Sequence, residues 1–220
     1  MRQITVCLLA LLLVTGCAGR ERAREDRPRA VLLVLTNHGE LGDTGEPTGF
    51  YLPEAAHPWG VFRDAGWDVT LASPEGGPAP IDPRSADNPD GESRSFLNAH
   101  AVGNTVPRTV ALREVGYSHY DAIFFAGGHG TMWDFAGHPD VTRAAEAIYG
   151  DGGVVGAVCH GPAALLGVQT GEGYLLEGRR ATAFTNSEER AVELVEVMPF
   201  LLETRMRERG AEFVEADDFS

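Results

Sequence analysis

Lysine is absent from this 220-residue chain, so all 18 of its cationic residues are arginines. Set against 32 acidic residues, they leave a net charge of −14. The basic residues gather near the start, and beyond Ala30 the balance is strongly acidic. With no basic patch to displace phosphate counterions, nucleic acid is excluded as a partner. Cysteine is scarce: Cys7, Cys17 and Cys159 are the only three. Long apolar runs are missing too, and Val6 to Val14 is too short to span a bilayer comfortably. No internal repeat and no second domain can be made out, and the length suits a single core.

Residues 1–16 read as a signal peptide, with Arg2 in a short basic n-region before the apolar run. That run ends in Leu13-Val-Thr-Gly-Cys17, which resembles the bacterial lipobox, so Cys17 is the expected lipidation site and mature N-terminus. The expected location is the bacterial cell envelope, lipid-anchored to the membrane on the extracytoplasmic side. Residues 17–29 form a basic tether without hydrophobic period, read as a flexible, solvated spacer. If Cys7 leaves with the signal and Cys17 carries lipid, Cys159 is the one free thiol and no internal disulfide can form.

Residues 30–220 read as one α/β domain. Ala30 to Thr36, Asp68 to Ala72, Asp121 to Ala126 and Val154 to Val158 are short apolar runs of the kind buried on both faces of a sheet. Helical patterns fall between them at Pro53 to Ala65 and His138 to Tyr149, with another expected at Gly161 to Leu166. Pro78 to Arg94 reads as irregular loop, and a short helix is expected somewhere in Phe96 to Val115. Arg180 to Phe184 suggests a strand, Glu188 to Arg209 one helix interrupted at Pro199 or two, and Glu212 to Ala216 a last strand. Alternation of this kind gives a mostly parallel sheet with helices on both faces, its ligand site at the carboxyl ends of the strands.

The strongest chemical signal is Gly152-Gly-Val-Val-Gly-Ala-Val-Cys159-His160-Gly161-Pro162. A buried strand runs straight into a nucleophile, and small residues then permit a sharp turn into a helix. The amides opening that helix are expected to favour the Cys159 thiolate. Gly127 and Gly128 end another strand and can offer amides to an oxyanion. His129, within Gly-Gly-His-Gly, reads as structural or pocket-lining. His57 and its neighbours lack a recognisable ligand spacing, so no metal is expected.

The segment Ala157-Val-Cys-His-Gly-Pro-Ala resembles the nucleophile elbow of the ThiJ/PfpI superfamily, whose fold is of the class I glutamine amidotransferase type. Thr48-Gly-Phe-Tyr-Leu-Pro-Glu54 through Trp59, Ala126 through Asp134, and Thr185-Asn-Ser-Glu-Glu189 resemble its glyoxalase III, heat-shock chaperone-like branch. The resemblance implies a flavodoxin-like α/β fold. It makes Cys159 the nucleophile, His160 its neighbour and Glu54 the carboxyl facing the sulfur, with Glu189 or Glu188 orienting His160. The implied activity is that of a cofactor-independent glyoxalase (D-lactate dehydratase type), a lyase that detoxifies a small 2-oxoaldehyde. A holdase chaperone or protein deglycase is the alternative, and a cysteine peptidase or amidase shares the same elbow. A homodimer is also compatible. Relatives continue past Asp217 to Ser220 with further elements, so the resemblance implies a truncated C-terminal part and an uncovered sheet edge.

Overall fold

The computed structural model describes residues 27–171 and 173–219. The signal segment, Cys17 and most of the tether lie outside the described residues. Among those described, no helix is long and apolar enough to cross a membrane.

β1 (Ala30–Val34) is the centre of the sheet, and its apolar residues alternate between two cores. Leu32 and Val34 join Ile123, Phe125 and the helix face Val141, Ala144, Ala145 and Ile148. Leu33 and the following Leu35 join Phe50, Leu52, Ala55, Ala56 and Phe96 on the other side. A strand apolar on both faces must be covered on both, which is why helices pack above and below it.

One face carries α1 (Leu52–Asp64), with Pro53 in its first turn. After it come β2 (Asp68–Ser73), β3 (Gly77–Pro80), α2 (Pro83–Ala86) and α3 (Gly91–His100). Next are β4 (Thr105–Ala111), β5 (Ala122–Phe125) and α4 (Thr131–Asp134). The other face carries α5 (Pro139–Gly150), which leads into β6 (Val154–Ala157). These six strands form one sheet in the order β3-β4-β2-β1-β5-β6. Neighbours are parallel except β3 with β4. The flavodoxin-like, mostly parallel α/β architecture expected from the sequence is present.

Register decides where the chemistry sits. Val34 lies opposite Phe125, and Phe125 opposite Ala157. Gly127 and Cys159, each two residues further on, therefore leave adjacent strands side by side.

The stretch Pro78 to Arg94, expected to be loop, holds an edge strand and two helix starts. The same proline and aspartate residues that signal turns also begin helices. Asp82 accepts from the Arg84 amide to cap α2, and Asp90 accepts from the Ser93 amide to cap α3. Pro78 is tolerated because β3 is an edge strand with an irregular register. The helix expected within Phe96 to Val115 ends at His100, and β4 follows it.

Towards the C-terminus the elements are shorter than expected. β7 (Gln169–Thr170) pairs with β8 (Gly173–Tyr174), and β9 (Arg180–Ala181) with β10 (Glu212–Phe213), both outside the main sheet. β9 stops early because Phe184 turns to the elbow, its amide donating to the Cys159 carbonyl at 2.9 Å. α6 (Asn186–Ala191) and α7 (Leu202–Glu208) are separate helices. The first ends near Glu193, whose φ of 61° is left-handed and incompatible with continuation.

The tether is not wholly free where it meets the domain. Arg27 makes two bonds to Asp121, at 3.1 and 3.2 Å, and the Arg29 guanidinium stacks over Trp67. Both contacts lie at the amino ends of the strands, opposite the elbow.

Candidate active site

Cys159 has a φ of 57°, a conformation costly for a residue with a Cβ. That turn lifts the side chain out at the end of β6, between the two glycines and His160. Glycine is required at 127: an added Cβ would lie 2.4 Å from Glu54 Oε2 and 2.7 Å from the Cys159 Cβ. The Glu54 carboxyl and the Cys159 Cβ thus both lie close to the Gly127 backbone. Gly161 is equally constrained, since a Cβ there would sit 2.4 Å from the Phe125 carbonyl oxygen.

The segment after the nucleophile is a short 3-10 helix, Gly161–Leu165, rather than an α-helix. Its dipole is correspondingly small, and the expected lowering of the thiol pKa is overturned. Burial pushes the Cys159 thiol well up, and the neighbouring Glu54 carboxyl pushes it further. The amides of Gly128 and His160 oppose this by facing the sulfur. The amide of Gly127 is directed instead at Glu54.

Glu54 sits in the first turn of α1. Burial raises its carboxyl to about 7, against the opposing influence of Cys159 and the Gly127 amide. Its Oε2 is buried without a hydrogen-bond partner. Two adjacent acids in a dry site cannot both ionise, so Glu54 and Cys159 hold one proton between them above neutrality.

His160 is fully buried, with Nδ1 3.3 Å from the Cys159 sulfur and Nε2 2.9 Å from Glu189 Oε2. Burial lowers it to about 4, so the ring is neutral at physiological pH. Burial by itself would raise Glu189, but bonds from His129 and His160 outweigh it and hold the carboxyl at about 2. A carboxylate only accepts, so Nε2 of His160 carries the proton and Nδ1 presents a lone pair to the sulfur.

Of the two acids considered for orienting His160, the structure places Glu189 there. Glu188 closes the capping box of α6 with Thr185. His57 is turned away from Glu54 and pairs with Asp90 at 2.6 Å on the surface. His129, read as structural or pocket-lining, reaches Glu189 Oε1 at 3.2 Å, and its ring lies 4.3 Å from that of His160. Arg84, unremarked in the sequence because it lies in the stretch read as loop, donates to His129 Nδ1 at 3.2 Å.

Donor atoms of His129, His160 and Glu189 all lie within 4.8 Å of one another. The polarity around them is wrong for a cation. A metal-bound imidazole donates its other N–H to an acceptor, whereas His129 Nδ1 faces a guanidinium donor.

A doubly covered parallel sheet with a cysteine elbow and a facing carboxyl defines a class, and comparison with known sequences agrees. The chain belongs to the DJ-1/PfpI family, which it matches over residues 47–215. Glyoxalase 3 of Candida albicans is 35% identical over 176 residues, 76% of this chain and 74% of that protein. Glutathione-independent glyoxalase HSP31 of Saccharomyces cerevisiae is 36% identical over 167 residues, 72% of this chain and 70% of that one. Among solved structures, Rapid Encystment Protein 24 kDa of Francisella tularensis aligns with a TM-score of 0.82 and 38% identity, covering 87% of this chain and 86% of that one. Glyoxalase III of Candida albicans aligns with a TM-score of 0.77 and 30% identity, covering 86% and 83%.

Proposed function

We infer that this chain is a glutathione-independent glyoxalase converting methylglyoxal to lactate without a cofactor. The observation that carries this reading is the buried Glu54 carboxyl, raised to about 7 and set against the only free thiol among the described residues. A carboxyl with that affinity can both take and return a proton near neutral pH. The names borne by the curated relatives support the same reading.

In this mechanism the Cys159 sulfur adds to the aldehyde carbon, its proton passing to Glu54 or to His160 Nδ1. The oxyanion is met by the Gly128 and His160 amides and is protonated to a hemithioacetal. Glu54 then removes the proton from that carbon, giving an enediol, and returns it to the adjacent carbon. The product is a lactoyl thioester on Cys159. Water hydrolyses it, releasing lactate and restoring the thiol, so the sum is methylglyoxal plus water to lactic acid. The test is lactate formation by soluble protein lacking residues 1–17, with no glutathione present. No turnover by folded protein would remove the assignment.

Independently of that activity, we propose from the lipobox-like Leu13-Val-Thr-Gly-Cys17 that Cys17 is the point of lipid attachment on the extracytoplasmic side of the membrane. Arg27, the first described residue, is held at the amino ends of the strands, opposite Cys159. Cys17→Ser is expected to lose incorporation of a labelled fatty acid, and equal labelling of both forms would sink the anchor.

A further inference from the structure

His129 has no part in the steps above, yet it makes the second bond to the Glu189 carboxylate and is only 12% exposed. The Arg84 Nη2 that approaches its Nδ1 can only donate. Nδ1 must therefore hold the lone pair, and the neutral ring carries its proton on Nε2, aimed at Glu189. Arg84 is itself fixed, bonding Asp82 through Nε at 2.9 Å and Nη2 at 2.5 Å. Asp82 is fully buried and accepts in addition from the Thr48 hydroxyl at 3.0 Å. Asp82, Arg84, His129, Glu189, His160 and Cys159 thus form one continuous chain in which the donors and acceptors match at every link.

We propose that Arg84 and His129 are positioning residues. They set the protons on both imidazoles, keep the Glu189 carboxylate divided between two N–H donors, and so hold His160 neutral with its lone pair on the sulfur. A carboxylate facing one imidazole alone would concentrate its charge there and let a second proton enter His160 at higher pH, narrowing the range in which it can act as a base. The charged and titratable groups around these rings are Glu188 and Glu189 from α6, Cys159 and Glu54 on the sulfur side, and Arg84 from α2. The Phe184 ring covers His160 at 4.3 Å.

The kinetic part of the test rests on the glyoxalase reading, and the spectroscopic part does not. Nitrogen-15 spectra of the full domain, without substrate, are expected to show both His129 and His160 protonated on Nε2. Arg84→Met should keep that proton on Nε2, which still faces Glu189, but should shift the Nδ1 resonance of His129, whose lone pair loses its donor. His129→Phe should raise the protonation midpoint of His160 by about one pH unit or more, since the carboxylate then serves one ring. The acid limb of methylglyoxal turnover should move up with it, and turnover at its optimum should fall roughly 10-fold, part of what a general base contributes. His129→Gln, which still offers an N–H to Glu189, should recover most of both. A proton on Nδ1 of His129 in the wild type would overturn the proposal, as would an unmoved His160 midpoint in His129→Phe. If His129→Phe does not fold, the His129 Nδ1 resonance in Arg84→Met decides, an unshifted signal overturning the proposal, because the Arg84 side chain is half exposed. A shifted His160 midpoint in a protein with no glyoxalase turnover would leave the relay standing and sink the activity instead.

Discussion

Glu54→Gln is expected to abolish lactate production while making the Cys159 thiol easier to ionise. The amide cannot carry a proton between adjacent carbons, and loss of a general acid–base group alone predicts a fall of roughly 10²–10⁴-fold. Thiol reactivity should move the other way. After burial, the Glu54 charge is the main influence holding the Cys159 pKa up, so its removal should lower the pH at which iodoacetamide reacts. Stability should change as well, and its sign follows from linkage. Glu54 rises from 4.5 to about 7 on folding, so the native state binds its proton more tightly than the unfolded chain does. Its favourable contribution is complete below about 4.5 and is lost as the pH rises through 7. The shift is worth about 3 kcal/mol, an upper figure, which a glutamine would not lose. The variant should therefore gain on the wild type between pH 4.5 and 7, as read by urea unfolding. Full turnover by Glu54→Gln would remove this residue from the mechanism. An inactive wild type that suppresses aggregation of a heated client as well as its variant does would favour the holdase.

Cys159→Ala should lose at least ~10⁴-fold in kcat/KM, as expected when the nucleophile of a concerted constellation is removed. No other thiol among the described residues can replace it. The fold should survive, because alanine keeps the Cβ and the backbone is held by the register of β5 and β6. It also keeps the strain of a φ of 57°. Cys159→Gly relieves that strain and should be more stable than the alanine form by roughly 1 kcal/mol, although equally inactive. Lactate assays and denaturant midpoints on the two variants measure both effects. Turnover by either would exclude the hemithioacetal, and a glycine form less stable than the alanine form would show that the elbow is not strained.

Much of the sheet was legible because its signals are local. A run such as Val31-Leu-Leu-Val must be buried on both faces whatever follows it, and Pro53 and Gly66 bracket α1 by their own backbone preferences. The elbow was legible for the same reason, since strand, nucleophile and small residues are contiguous from Val154 to Ala164. Pro78 to Arg94 misled because proline and aspartate serve turns and helix starts equally, and only packing of Phe96 into the core selects the helix.

The sequence by itself determined the alternation of strands and helices, the position of the cysteine and the residue types available around it. Tertiary structure decided how those residues act. Whether Glu54 is an ordinary acid in a first helical turn or a carboxyl with a pKa near neutrality depends on burial by strands far along the chain. The choice of Glu189 over Glu188 depends on which of two neighbours α6 turns towards a histidine 29 residues earlier. Arg84, His129 and Glu189 meet across separations of 45 and 60 residues. Desolvation and charge coupling are sums over everything packed around a group, and that sum exists only once the chain has folded.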